Sequence, residues 1–332
     1  MKNNPVYPRR RALALACLAM AVAMPVAAQT QTLGPAPLPP GVAAAPPAPL
    51  SVAVLGSGGP GATGRAASSY LVLLDGVPRI LVDAGPGSFV RLGEAGLSLA
   101  RTDIVLLTHL HIDHVGELPG LFKARAVAGG GPIKFRVFGP DGRRGGGGAA
   151  AYPSTSRLMH LLFDQQGAFG YLRDFSAPLS WQVTDIASAV KPGLLPRVAL
   201  SEGGLKITAI AGHHRDAPSV IYRIDYAGKS VTFSGDLDAE ALADLRAIAG
   251  GTDLLVFNSV VLDPPRSPPV LYTLHTPPKT IGELARDAGV GRLLLGHLSP
   301  AVEQARDEVV RSIAQGYGGT VTFATDGALL VP

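Results

Sequence analysis

Cysteine is almost missing from this chain: its 332 residues hold one, Cys17. A disulfide framework or a cluster of thiolate metal ligands needs more than that, so both are excluded. No run of about 20 apolar residues is present, the length a membrane-spanning helix requires. Self-similarity at a solenoid period is absent as well. Charge imbalance is only superficial. The formal net charge is +4, but of 29 Lys and Arg, four (Lys2, Arg9, Arg10 and Arg11) precede residue 29, where no acidic residue falls. The remainder carries 25 basic against 25 acidic residues, so the excess is no nucleic-acid footprint.

Those early cations instead form the basic start of an export signal. Residues 12–26 supply its apolar middle, and Val26-Ala27-Ala28 offers the small residues a signal peptidase reads. Residues 1–28 are expected to be a signal peptide cleaved before Gln29, taking Cys17 with them. A periplasmic or secreted protein with no membrane span after cleavage is the expectation. Residues 29–50 are a Pro/Ala-rich linker that cannot pack a core. Residues 51–332 remain as the folded domain.

Short β-rich runs fill that domain. Strands are expected at 51–55, 70–74, 80–82, 104–107 and 133–138, and again at 205–210, 220–225, 230–233, 254–257, 293–295 and 320–323. Helical spacing falls at 117–127, 154–175, 239–249, 277–288 and 301–314, with a glycine-rich loop at 139–148. Residues 176–200 fit neither pattern. Two successive β-rich halves, each joined to helices, give an α+β fold with two packed sheets and helices outside.

His109-Leu110-His111-Ile112-Asp113-His114 directly follows the apolar strand at 104–107. Imidazoles and a carboxylate this close suit a divalent ion such as zinc. Further landmarks are Leu81-Val82-Asp83-Ala84-Gly85, Gly212-His213-His214, Phe233-Ser234-Gly235-Asp236 and Gly296-His297-Leu298-Ser299.

The first of these motifs resembles the defining signature of the metallo-β-lactamase superfamily, and the others follow in that family's order from residue 51 onward. The resemblance implies a four-layer αββα sandwich and a dinuclear hydrolase. It assigns His109, His111 and one of His213 and His214 to the first metal, and Asp113, His114 and His297 to the second, with Asp236 bridging. Pro218-Ser219-Val220-Ile221-Tyr222 resembles a family segment whose ligand lies four residues before the proline, which favours His214. Asp83 takes the family's structural aspartate position. Two divalent ions are implied, zinc first, with iron or manganese as alternatives. They would share a bridging hydroxide as nucleophile, oriented by Asp113.

Leu55-Gly56-Ser57-Gly58-Gly59-Pro60, Ser68-Ser69-Tyr70 and His275-Thr276 resemble the ribonuclease Z-like branch, which includes phosphodiesterases and arylsulfatases. In that branch a histidine placed like His275 assists the leaving group or phosphate. Ser57–Gly61 is either a phosphate-cradling turn or a structural one. Three departures stand out. No arm for gripping tRNA is recognisable between 120 and 200, where an apolar lid or wall (Leu161, Leu162, Phe163, Phe169, Tyr171, Phe175) is expected. Asn258-Ser259 replaces an acidic residue. An exported, neutral chain also has little access to tRNA.

The expected function is hydrolysis of a small-molecule phosphodiester or sulfate ester, with no nucleic-acid partner and a homodimer allowed. A lactonase or β-lactamase activity is the alternative enzyme, and a non-hydrolytic metal-binding or redox protein the alternative class. The absent cysteine ligand and Asp236 weigh against a β-lactamase, and the retained motif histidines against a redox protein.

Overall fold

Neighbouring residues in the central strands are buried on opposite faces, so one strand can serve two apolar layers. Val52 and Val54 join one cluster while Ala53 and Leu55 join another. Val256 and Phe257 divide in the same way between the first cluster and a third. Three apolar layers need two sheets between them and helices outside, and that is the arrangement found in the computed structural model of the chain. It describes residues 47–332 apart from 62, 130, 146–150 and 176–177. The expected signal peptide, and the linker as far as residue 46, lie outside the described residues.

Among the described residues the first sheet has seven strands: β1 (Leu50–Gly56), β2 (Ser69–Leu74), β3 (Val77–Val82), β4 (Ile104–Leu106), β5 (Ile133–Pro140), β6 (Leu179–Ile186) and, closing the other edge beside β1, β14 (Leu329–Leu330). The second has β7 (Arg197–Glu202), β8 (Leu205–His214), β9 (Ala217–Tyr226), β10 (Lys229–Phe233), β11 (Leu254–Asn258), β12 (Arg292–Gly296) and β13 (Thr320–Phe323) in sequential order. Strands β3 to β6 run parallel, as do β10 to β13. Leu50, assigned to the linker by composition, is the fully buried first residue of β1 and pairs with Leu74.

Between the sheets lie Val52, Val54, Val72, Val220, Tyr222, Phe233, Val256 and Leu294. Removing each such side chain from water contributes about 1.5–3 kcal/mol. Helices α1 (Ser88–Glu94), α2 (Ile112–Val115), α3 (Leu118–Ala128) and α4 (Thr155–Phe163) belong to the first half. Leu121 and Phe122 of α3 and Met159 and Phe163 of α4 cover the first sheet. Helices α5 (Leu242–Ala249), α6 (Pro278–Asp287), α7 (Pro300–Gln304) and α8 (Arg306–Ile313) belong to the second half. Its sheet is covered by Leu245, Ile281, Leu284, Val309 and Ile313. The αββα sandwich is therefore as expected. No helix among the described residues is long and apolar enough to cross a membrane.

Two helices are shorter than their spacing predicts. The 154–175 helix ends at Phe163 and resumes as a 3-10 turn at Gly170–Arg173. Between them a side chain at Gly167 would meet the Leu162 and Phe163 backbone at 2.8 Å, a fold-back open only to glycine. Phe163 and Leu172 are buried with the outer face of the first sheet and Leu162 and Phe169 pack beside them, so of the expected lid or wall this segment is the wall, with Leu161, Tyr171 and Phe175 exposed. The 301–314 helix breaks at Ala305 into α7 and α8.

Candidate metal centre

Every expected ligand leaves the end of a strand on one rim of the sandwich. β4 runs into Thr108 and the histidine motif, β8 ends at His214, β10 leads to Asp236, and β12 to His297. The two sheets are stitched together at this rim. The Val220 amide donates to the Thr108 carbonyl at 2.8 Å, and the Tyr222 hydroxyl to the Leu107 carbonyl at 3.2 Å. Left-handed backbone accompanies two of these turns, at Gly235 (φ 61°) and His297 (φ 51°), and the turn after β3, at Asp83 (φ 57°). Non-glycine residues hold that conformation only where the surroundings impose it. At Gly235 a side chain would lie 2.7 Å from Thr108 Cβ, so both φ and space require glycine.

Among the described residues the side chains converge in four overlapping groups, two of which are the expected ligand sets and one of which joins His275 to His214 and Asp236. One ligand atom each from His109, His111 and His214 lies within 4.8 Å of the others, and the same holds for Asp113, His114 and His297. Asp236 reaches both. Its Oδ2 is 3.6 Å from His214 Nε2, 3.4 Å from His297 Nε2 and 4.0 Å from His109 Nε2, while its Oδ1 is 3.7 Å from His114 Nε2. All seven residues expected as ligands are brought together, and all but His111 are buried.

Ring orientation tests whether this set fits metal ions. The His114 Nδ1–H donates to Asp83 Oδ2 at 2.7 Å, leaving Nε2 buried and without a protein partner. His214 Nδ1 donates to the Leu274 carbonyl at 2.9 Å. His111 presents Nδ1 to His109 Nε2 at 3.1 Å and Nε2 to the Tyr152 hydroxyl at 3.4 Å. His109 Nδ1 lies 3.2 Å from Thr108 Oγ1. In these four rings one nitrogen is thus anchored and the other faces the cluster, which is how ligating histidines are held; His297 turns Nε2 toward Asp113, and its Nδ1 is buried without a hydrogen-bond partner. The donor set is oxygen and imidazole nitrogen, suited to zinc and its neighbours.

His213 goes elsewhere. Its Nδ1 meets the Asp238 carboxylate at 2.7 Å and its Nε2 meets Glu240 at 3.4 Å, so it turns away from the centre. Asp238 also caps the following 3-10 turn by accepting from the Glu240 amide, in keeping with an ordinary capping role. His275 stands at the edge of the cluster, its ring centroid 5.3 Å from that of His214 and 5.8 Å from that of His297. Its Nδ1 is buried without a partner.

Electrostatics follow this geometry. Burial lowers the His109 imidazole well below its ordinary value, reinforced by the His114 charge, and lowers His111 likewise. Burial also takes His275 down to about 4, so it is neutral at pH 7. Burial would lower His114 too, but Asp83 and Asp236 outweigh it and push it up to about 9. At Asp236 burial works to raise the carboxyl, and the surrounding histidines, His297 foremost, overcome it and hold it well below the carboxylate range.

Sequence reasoning gave no role to Tyr152, which touches His111, and noted Asn258 only as a departure. Asn258 Nδ2 donates to Asp236 Oδ1 at 2.5 Å, so the amide holds the carboxylate where an acidic residue would repel it. The Ser57 turn packs directly on the centre: a side chain at Gly59 would fall 2.5 Å from His297 Cε1.

A two-sheet αββα sandwich with a paired His/Asp cluster on one rim defines a metal-dependent hydrolase scaffold. The profile described as Metallo-beta-lactamase superfamily matches residues 62–297, and the chain belongs to that superfamily. It is a hydrolase of this dinuclear, metal-dependent family, homologous to ribonuclease Z. The Ribonuclease Z of Mycobacterium avium (strain 104) is 28% identical over 288 residues, 83% of this chain and 96% of that protein. The metallo-beta-lactamase fold protein YhfI from Bacillus subtilis superposes with a TM-score of 0.61 at 20% identity, covering 85% of this chain and 99% of its own. The short form of human tRNase Z gives a TM-score of 0.60 at 20% identity, covering 85% and 98%. These relatives overturn the expectation of a small-molecule substrate and no nucleic-acid partner. That expectation rested on net charge, an expected export signal and the absence of a recognisable tRNA-gripping arm, none of which describes the site itself.

Proposed function

We propose that this chain is a dinuclear, zinc-preferring phosphodiesterase whose substrates are nucleotide phosphodiesters, those of RNA included. The observation that carries the reading is the convergence of His109, His111 and His214 beside Asp113, His114 and His297, with Asp236 within 4.0 Å of both groups. Likeness to ribonuclease Z supports the phosphodiester. Bound divalent ions would supply Lewis acidity and a nucleophile made from water at neutral pH.

The chain's own groups do the rest. Asp113, whose Oδ2 lies 3.0 Å from His297 Nε2 within the second group, would orient the attacking water. Asn258 and the surrounding histidines keep Asp236 ionised between the two groups. His275, neutral at pH 7, donates a hydrogen bond to a phosphoryl or leaving oxygen as charge develops there. The basic, apolar and small-residue order of residues 1–28 supports export, tested by the intact mass of protein recovered from a periplasmic fraction.

The zinc-loaded protein should be assayed on bis-p-nitrophenyl phosphate, an RNA oligonucleotide, p-nitrophenyl sulfate, a lactone and nitrocefin. Turnover of the two phosphodiesters is the expected result. Selective turnover of the sulfate, lactone or nitrocefin would overturn the assignment.

A further inference from the structure

His297 is held differently from the other ligand histidines. His109, His111, His114 and His214 each rest one ring nitrogen on a polar partner, whereas His297 Nδ1 is buried with none. Its Nε2 faces the cluster, 3.0 Å from Asp113 Oδ2 and 3.4 Å from Asp236 Oδ2. Main chain and packing must therefore set the ring. The His297 backbone is left-handed (φ 51°), and the amide of the next residue, Leu298, donates to the Ser57 carbonyl at 2.9 Å. Two residues on from Ser57, Gly59 lies flat against the imidazole. A Cβ added there would fall 2.5 Å from Cε1 and 2.7 Å from Nδ1. The turn from Ser57 to Ala66 is thus the wall on which the ring rests.

That turn is rich in glycine and has little stiffness of its own. One carboxylate pins both of its ends. Asp326, between β13 and β14, accepts through Oδ1 from the Ser57 amide at 3.0 Å and from Ser57 Oγ at 2.6 Å. Through Oδ2 it accepts from the Ala66 amide at 2.8 Å and from Arg91 Nε at 3.0 Å. Arg65 braces the same point by donating to Ser57 Oγ at 2.7 Å. The Asp326 side chain is only 11% exposed, so these bonds compete little with water.

We infer that Asp326 is a positioning residue for the second metal: by closing the Ser57–Ala66 turn it fixes the His297 ring, which has no hydrogen bond of its own to do so. The inference rests on the dinuclear reading of the centre and is independent of which ester is cleaved. Asparagine at position 326 keeps an oxygen for Ser57 but turns an amino group toward the Ala66 amide, so one end of the turn opens.

The experiment titrates metal-free wild type, Asp326→Asn and Gly59→Ala with zinc against a chelating dye, and compares the cadmium-loaded proteins by cadmium NMR, where each bound ion gives its own resonance. Loss of a group that orients a ligand costs about ten-fold or more in metal affinity. Asp326→Asn is expected to weaken one of the two equivalents by about ten-fold, leave the other as in wild type, and shift one cadmium resonance alone. Gly59→Ala, which presses on the His297 ring without touching Asp326, is expected to weaken the same equivalent and move the same resonance. A merely structural role lowers the melting temperature without singling out one site. A folded Asp326→Asn protein that binds both equivalents as tightly as wild type, or loses both alike, overturns the inference. Should that variant fail to fold, Ser57→Ala, which removes the hydroxyl bond to Asp326 and keeps the main chain, takes its place with the same expectation, and an unchanged pair of affinities overturns it. Wild type that takes up a single equivalent overturns the dinuclear reading, and the role of Asp326 with it.

Discussion

Replacing Asp83 by asparagine is expected to weaken the second metal site by one to two orders of magnitude while leaving the fold in place. The Asp83 carboxylate accepts three hydrogen bonds, from the Thr108 amide and Thr108 Oγ1 at 2.8 Å each and from His114 Nδ1 at 2.7 Å. Asparagine offers one acceptor oxygen and an amino group. With its oxygen on the Thr108 amide, the amino group points at Thr108 Oγ1 and His114 Nδ1, and the imidazole nitrogen must then accept. That moves the ring proton to Nε2, the atom aimed at the metal. The charge-assisted bond lost is worth about 1.5–3 kcal/mol, or roughly 10- to 100-fold in affinity. Zinc titration of the apoprotein against a chelating dye reads this directly, with a thermal melt as the control for folding. An Asp83→Asn protein that binds both equivalents with wild-type affinity would refute the reasoning.

The two adjacent histidines should separate cleanly: His214→Ala loses metal from the first site, whereas His213→Ala, which breaks only the Asp238 and Glu240 contacts, keeps two equivalents by elemental analysis. His275→Gln should lower kcat at least about ten-fold with metal content intact, since a lost transition-state hydrogen bond acts on turnover; unchanged kcat would make His275 a bystander. Metal loading should release protons. His114 sits at about 9 in the metal-free protein and carries its second proton at pH 7, so zinc must expel it. Release measured in weakly buffered solution should approach at least one proton at pH 7, and the His114 share should fade above pH 9. Zinc uptake at pH 7 without proton release would contradict that assignment.

The centre was legible because its chemistry is local. His109, His111, Asp113 and His114 occupy six positions at the end of one buried strand, and the remaining ligands each close another strand. Strands β1, β4 and β11 were legible from unbroken apolar runs. Residues 176–200 were not, because β6 and β7 are edge strands with mostly exposed or half-buried residues, and period-2 patterning fades where only part of a face is covered. α1 was missed since only Ser88 and Leu92 of its seven residues are buried. Tyr152 had no spacing signal to offer; only the bridge between Arg143 and Tyr152 brings it to His111. Substrate was misread for a different reason. Net charge sums over the whole surface, while phosphate recognition depends on where individual charged groups stand.

Stoichiometric reconstitution bears most directly on the dinuclear centre. Metal-free protein should be titrated with zinc while hydrolysis of bis-p-nitrophenyl phosphate is followed. Activity that rises until two equivalents per chain and then levels is the expected result. A plateau at one equivalent, or hydrolysis that persists in the metal-free protein, would contradict the pairing of His109, His111 and His214 with Asp113, His114 and His297 across Asp236.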